Sequence, residues 1–198
     1  MQCIVAFFDK ENILDVMETL ESMDVDKKAA RLWYKLNEKT EIQVKTAVGM
    51  TKSVEVGPLV GQGSTGAAVA SQAMIDRGLR QYFEGSSDEM YYGQVRFEAA
   101  AYQDDILKPS QNLDSAQVGM TKLAIMLEER GLQAHEDKTG FILLGTKKFK
   151  EEAEKEMKLK PLRFGNFLAK RKKSDKYLGQ ILHEEGRWRR PSRKGLEK

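Results

Sequence analysis

Residues 3–8 (CIVAFF) constrain the fold of this chain more than any other segment. Six consecutive apolar residues without alternation have the length of a strand and the pattern of one buried on both faces. Asp9 ends the run, and no basic segment precedes it, so a strand explains it better than a secretion signal does. A chain of 198 residues is long enough for one domain with a sizeable core. Hydrophobic residues make up 40% and charged residues 32%, the balance of a water-soluble globular protein. No apolar run approaches the roughly 20 residues that span a bilayer. A single cysteine, Cys3, excludes an internal disulfide framework and a thiolate metal cluster, and its apolar surroundings suit a buried thiol. These features predict an intracellular protein, nuclear or cytoplasmic and not secreted, with no membrane association.

Spacing along the chain predicts a mixed order of elements. Leu14, Met17, Leu20 and Met23 recur at helical spacing, and residues 29–36 continue in that style. Residues 41–48 alternate, and 53–56 answer them across Gly49-Met50-Thr51-Lys52, as in a hairpin with a four-residue connection. A glycine-rich stretch, 57–66, leads into a helix over 67–83. Residues 94–101 and 106–107 flank Asp104 and Asp105, as in a hairpin with the acidic pair at its turn. Val118, Leu123, Met126 and Leu127 mark a helix that stops at Gly131. A strand over 139–144, a charged helix over 148–158 and a last strand over 176–182 follow. The expected fold is α+β, an antiparallel sheet with helices packed on one face in a split βαβ arrangement. Residues 1–183 form the core in this reading, and 184–198 a basic tail without regular structure.

The net charge of +3 conceals an asymmetry. Residues 147–198 carry 18 Lys+Arg and 8 Asp+Glu, or +10, which leaves 15 against 22, or −7, for residues 1–146. An acidic body can hold metal ligands while a basic segment meets a polyanion. Asp9 directly follows an apolar strand, and Asp104 and Asp105 interrupt apolar segments. Adjacent carboxylates repel unless a cation compensates them. If the first strand neighbours that hairpin, three carboxylates converge on an oxygen-only site that suits Mg²⁺. Aspartate is also an ordinary turn residue, and spacing alone leaves both readings open. His135 and His183 have no partner at ligand spacing.

Five motifs in order carry a resemblance. Residues 9–15 (DKENILD) place an aspartate after a buried strand and a second, Asp15, six residues later. Gly61-Gln62-Gly63 follows the first hairpin; Tyr102-Gln103-Asp104-Asp105 is an aromatic-x-Asp-Asp box. Gly131-Leu132 precedes Asp137-Lys138-Thr139, and Tyr177-Leu178-Gly179 lies beyond. Over nearly all of residues 3–182 the chain resembles the reverse transcriptase domain of non-LTR retrotransposons. That resemblance implies a polymerase palm that extends a DNA primer on an RNA template from deoxynucleoside triphosphates. Asp9 and Asp104 would hold two Mg²⁺ ions about 3.5–4 Å apart, with Asp105 in support and Mn²⁺ as a substitute. One ion would activate the primer 3′-hydroxyl and the other would stabilise pyrophosphate, so catalysis is positioning and charge neutralisation. Gln62 and Gly63 would let the backbone approach template and nucleotide, and Lys138 would protonate or neutralise pyrophosphate. Lys170, Arg171, Lys172 and Lys173 would grip the primer–template backbone by counterion release. Trp188, among Arg187, Arg189 and Arg190, either stacks on bases or simply belongs to the tail without regular structure, and the tail is the reading its surroundings favour.

The chain departs from the family at three points. Only one strand precedes Asp9, so the fingers and most of the thumb of a parent polyprotein are expected to be missing. Leu14 stands where relatives carry a bulky aromatic that excludes a ribose 2′-hydroxyl. Residues 64–68 read STGAA where many relatives have Leu-Ser-Pro. The alternative to a catalytic core is a non-catalytic, nucleic-acid-binding remnant of a palm. Primer extension on a homopolymer template with Mg²⁺ should therefore yield little or no product with this chain alone; robust synthesis would contradict the expectation.

Overall fold

A computed structural model describes residues 2–5, 13–57, 65–84, 90–92, 94–103, 105–186 and 188–189. In chain order, strand β1 (Gln2–Val5) is followed by helices α1 (Ile13–Ser22) and α2 (Lys27–Asn37). Strands β2 (Thr40–Ile42), β3 (Lys45–Thr46), β4 (Gly49–Met50) and β5 (Val54–Gly57) lead to helix α3 (Thr65–Phe83). Next come β6 (Met90–Tyr92), β7 (Val95–Phe97), β8 (Ala100–Tyr102), β9 (Asp105–Leu107) and helix α4 (Leu113–Glu129). Beyond it lie β10 (Gln133–Ala134), β11 (Gly140–Phe141), helix α5 (Lys147–Leu159), β12 (Arg163–Phe164), β13 (Phe167–Leu168) and β14 (Lys170–Arg171). The last strands are β15 (Ser174–Tyr177), β16 (Gln180–His183) and β17 (Trp188–Arg189).

The central sheet has the order β10-β1-β9-β8, with every pair antiparallel. β1 lies between two neighbours: Gln2 and Cys3 face Ile106 and Asp105, and Ile4 and Val5 face Ala134 and Gln133. The α+β class is as expected. Ile106 of β9 is 1% exposed and packs with Ile75 and Phe83 of α3 and with Leu123, Met126 and Leu127 of α4. Both helices therefore cover the same face of the sheet. Helix α3 also enters a second core, where Ala67, Ala70, Ala73 and Met74 meet Val16 and Leu20 of α1 and Ala30 of α2. Its small residues let the α1–α2 pair come close, while its larger C-terminal residues fill the sheet side.

Local chemistry sets the helix ends. Asp26 caps α2, accepting from Lys28 and Ala29 N–H at 2.9 and 3.1 Å. Asn112 and Ser115 form a reciprocal capping box on α4. Gly131, at φ +67°, ends α4 in a Schellman turn: its N–H donates to Glu128 and that of Leu132 to Leu127 at 2.8 Å.

Four sequence expectations need correction. The first hairpin turns at Ala47-Val48, one step before Gly49-Lys52, because Lys45 pairs with Met50 and Thr46 with Gly49. The Thr46 hydroxyl donates to the Gly49 carbonyl at 2.8 Å, and Thr51 N–H donates to Val44 O at 3.0 Å. Within 139–144 only Gly140 and Phe141 are strand, because their partner β14 is two residues long and pairs parallel. Residues 176–182 form a hairpin rather than one strand. Beyond Gly186, Leu182 pairs with Trp188 and Ile181 with Arg189, so the regular structure extends into the expected tail; residues 190–198 lie outside those described. No helix among the described residues is long and apolar enough to cross a membrane.

Ile106→Ala should cost about 2–5 kcal/mol, because the site sits among three fixed elements and cannot collapse freely. Val48→Ala, at a side chain 99% exposed, should change stability by less than about 0.5 kcal/mol. Urea unfolding followed by circular dichroism measures both.

Candidate functional site

The acidic box is built on a very tight hairpin. Ala100 pairs with Leu107, Ala101 with Ile106 and Tyr102 with Asp105, which leaves Gln103 and residue 104 as the two-residue connection. Gln103 has φ +53°, a left-handed conformation that costs a non-glycine residue roughly 1–2 kcal/mol. A side chain from α3 holds it there. The Gln103 N–H donates to Gln72 Oε1 at 3.1 Å, and Gln72 Nε2 donates to the Ala101 carbonyl at 3.5 Å. One amide thus spans the turn and ties it to the helix that anchors both cores.

Asp105 is the first residue of β9, level with Tyr102 on one side and Cys3 on the other, and not part of the turn itself. Alternation along a strand sends its side chain to the face opposite Ile106, away from α3 and α4. The carboxylate is half-buried. Val5, the last described residue of β1, precedes Asp9 by four positions. Asp9, Asp104, Gln62 and Gly63 lie outside the described residues.

The Tyr177-Leu178-Gly179 motif comes to the same neighbourhood. Tyr177 pairs with Gln180, so Leu178 and Gly179 form the turn, at φ +48° and +76°. Positive φ at both positions is the type I′ pattern that matches strand twist. Glycine meets it without strain; Leu178, half exposed, does not. The Tyr177 phenol is pushed above its ordinary value, first by burial and then by the negative charge of Asp105. Two motifs far apart in sequence therefore feel one another. A cleft of about 480 Å³ runs alongside, with Leu107, Leu113, Met120, Phe141, Tyr177 and Leu182 in its wall. Its apolar lining accounts for the burial of the phenol.

The remaining expected residues are dispersed. Leu14 lies in the first turn of α1 and is 46% exposed. Lys138 is exposed in the turn after β10, where its carbonyl accepts from Lys172 Nζ at 2.9 Å. The register carries the chain after Ala134 back toward the level of Cys3, away from the Gln103 end of the sheet.

The basic segment is largely committed within the chain. Lys170 meets Asp137 at 2.6 Å, Arg171 meets Glu154 and also Glu184 at 3.1 Å, and Lys172 meets Asp175 at 2.8 Å. The Lys170 ammonium, by hydrogen bond and then by charge, holds the Asp137 carboxyl below its usual value. Lys173 has no ion pair among the described residues. Among those residues no group of three or more His, Cys, Asp or Glu gathers to hold a metal, and two of the three expected ligands lie outside them.

Sequence reasoning missed Gln72 and gave Tyr177 no role of its own. A glutamine in a run of small helical residues has no signature; only the ladder shows that the turn needs it. Because Tyr177 holds its proton more tightly in the folded state, it contributes stability below about pH 10. That contribution is lost as pH rises through the folded value. Asp105→Asn removes the negative charge and should shift the Tyr177 ultraviolet titration to lower pH, while burial alone keeps it above that of a free tyrosine. No shift on substitution would show that the two groups do not interact.

No family model matches this chain, and no curated protein is significantly similar to it.

Proposed function

We propose that the chain is the palm of an RNA-directed DNA polymerase of the non-LTR retrotransposon type, transferring nucleotidyl groups with two Mg²⁺ ions. The observation that carries this reading is the antiparallel pairing of β1 with β9, in which Cys3 lies opposite Asp105. It sets the strand that leads to Asp9 beside the hairpin that bears Asp104 and Asp105. The central sheet runs fourth, first, third, second strand, with helical segments between its first and second strands and between its third and fourth. That is the order of a split βαβ unit and supports a palm.

In this reading the primer 3′-hydroxyl attacks the α-phosphorus of a deoxynucleoside triphosphate, and pyrophosphate leaves. Asp9 and Asp104 would hold the two ions, with Asp105 adding negative charge beside them. An all-carboxylate donor set fits a hard cation. Bound there, the ions would supply charge neutralisation and a more acidic 3′-hydroxyl. The protein's own part is positional. The Gln72 clamp keeps the strained turn in one conformation, and β1 pairs directly with the strand that begins at Asp105. Gln62 and Gly63 would lie against template and nucleotide, Leu14 near the sugar, and Lys138 would neutralise pyrophosphate.

Manganese binding followed by electron paramagnetic resonance tests the carboxylate site directly. Asp9→Asn and Asp104→Asn should each weaken Mn²⁺ binding by roughly tenfold or more. Binding that is indifferent to both substitutions overturns the catalytic reading and leaves a palm-derived module without metal chemistry.

A further inference from the structure

Three of the four cations of residues 170–173 face carboxylates, and a larger set of cations without ion pairs gathers elsewhere among the described residues. Residues 27–52 hold seven Lys+Arg and two Asp+Glu, a balance of +5. The rest of residues 1–146 then holds 15 − 7 = 8 against 22 − 2 = 20, or −12. This stretch runs from α2 through β4 of the β2–β5 arm, a basic island on an acidic body, and β5 adds only the charge of Glu55. Of α2 only Ala30 is buried, with Trp33 packed against the α1–α3 core. Residues 41–55 are exposed throughout.

Lys27, Arg31 and Lys35 recur every four residues, so they form one stripe along α2. Leu32 and Leu36, 61% and 71% exposed, lie beside it. Lys39, Lys45 and Lys52 continue the positive charge along the arm, among exposed Ile42, Val44, Val48, Met50 and Val54. Lys35 meets Glu38 at 3.0 Å; Lys27, Lys28, Arg31, Lys39, Lys45 and Lys52 have no ion pair among the described residues.

We propose that α2 and the β2–β5 arm form a binding surface for single-stranded nucleic acid, the unpaired template strand. Unpartnered cations beside acidic surroundings attract phosphates and release their counterions. A single strand suits the surface better than a duplex. Its unstacked bases can cover the exposed apolar side chains, whereas a duplex keeps its bases inside. The reading as a polymerase identifies the strand as template; the binding itself needs no metal, so the two can fail separately.

Fluorescence anisotropy with a labelled single-stranded RNA, titrated across salt concentrations in the presence of EDTA, tests the surface. Full-length chain carrying Arg31→Gln, Lys39→Gln and Lys45→Gln should bind at least about tenfold more weakly, and its slope of log K against log salt should be shallower by about 2. These three side chains are exposed and have no ion pair among the described residues, so circular dichroism should show an unchanged fold. Lys170→Gln, Arg171→Gln and Lys172→Gln together should change the slope less. An unchanged slope in the arm variant overturns the proposal, as does a larger loss from the second variant. Binding to anionic phospholipid vesicles with none to RNA would overturn it as well.

Discussion

Everything near the acidic turn depends on β1 having a neighbour along each edge. Its first two residues complete a ladder with β9, and its last two complete one with β10. A strand paired on both sides has no free edge into which it can slip, so its register is set twice. A shift of one residue on the β9 side would invert every side chain relative to Asp105. The same double pairing brings β8–β9 and the chain after α4 into one sheet, although three and four helices, respectively, separate them from β1 in sequence. The Schellman turn at Gly131 then aims the chain into β10.

Helix α3 converts that sheet into a platform. It is the only one of the described helices with residues in both buried cores. Its Gln72 amide reaches out between them to hold Gln103. Strain at Gln103 persists because the surroundings over-determine it. The β8–β9 ladder closes from one side, Ile106 is locked in the core from below, and the glutamine spans the gap. Leu178 repeats the device on the facing hairpin, where the turn next to Tyr177 again requires positive φ from a branched residue. Two strained turns lie beside the strand bearing Asp105, a distribution characteristic of sites that position groups.

Some of this was legible in the residues. The unbroken apolar run over 3–8 marked a strand, and its described part, residues 3–5, lies in β1, which is paired along both edges; residues 6–8 lie outside those described. The helical spacing of Leu123, Met126 and Leu127 marked α4, and these are the side chains that meet Ile106. Turns were read less well, since their positions depend on interactions between separated residues. The register at Ala47-Val48 follows from Thr46 and Thr51 bonding across the hairpin. Tyr177-Leu178-Gly179 falls within the run over 176–182 expected as one strand, yet a type I′ turn needs only glycine and one tolerated partner. Gln72 had no local signal, because what it does exists only once β8, β9 and α3 are assembled.

Charge was the property that composition misrepresented most. The C-terminal segment is richest in lysine and arginine, but formal charge counts residues and ignores whom they face. Lys170, Arg171 and Lys172 each lie against a carboxylate, so a phosphate arriving there must displace an existing partner. Exposed ion pairs contribute only about 0–1 kcal/mol each, so displacement is possible, but it adds nothing to the net attraction. Apart from Lys35, which meets Glu38, the cations of α2 and the β2–β5 arm have no ion pair among the described residues, so a phosphate contact with them would release counterions without breaking an ion pair. Long-range attraction follows net local charge within about a Debye length, 8–10 Å at moderate salt. On that scale the arm is a positive projection from a negative body. The acidic turn, which would repel a strand unless cations were bound, has the complementary requirement. Under the proposed reading, that separation would let one chain hold polyanion in one place and concentrate carboxylates in another.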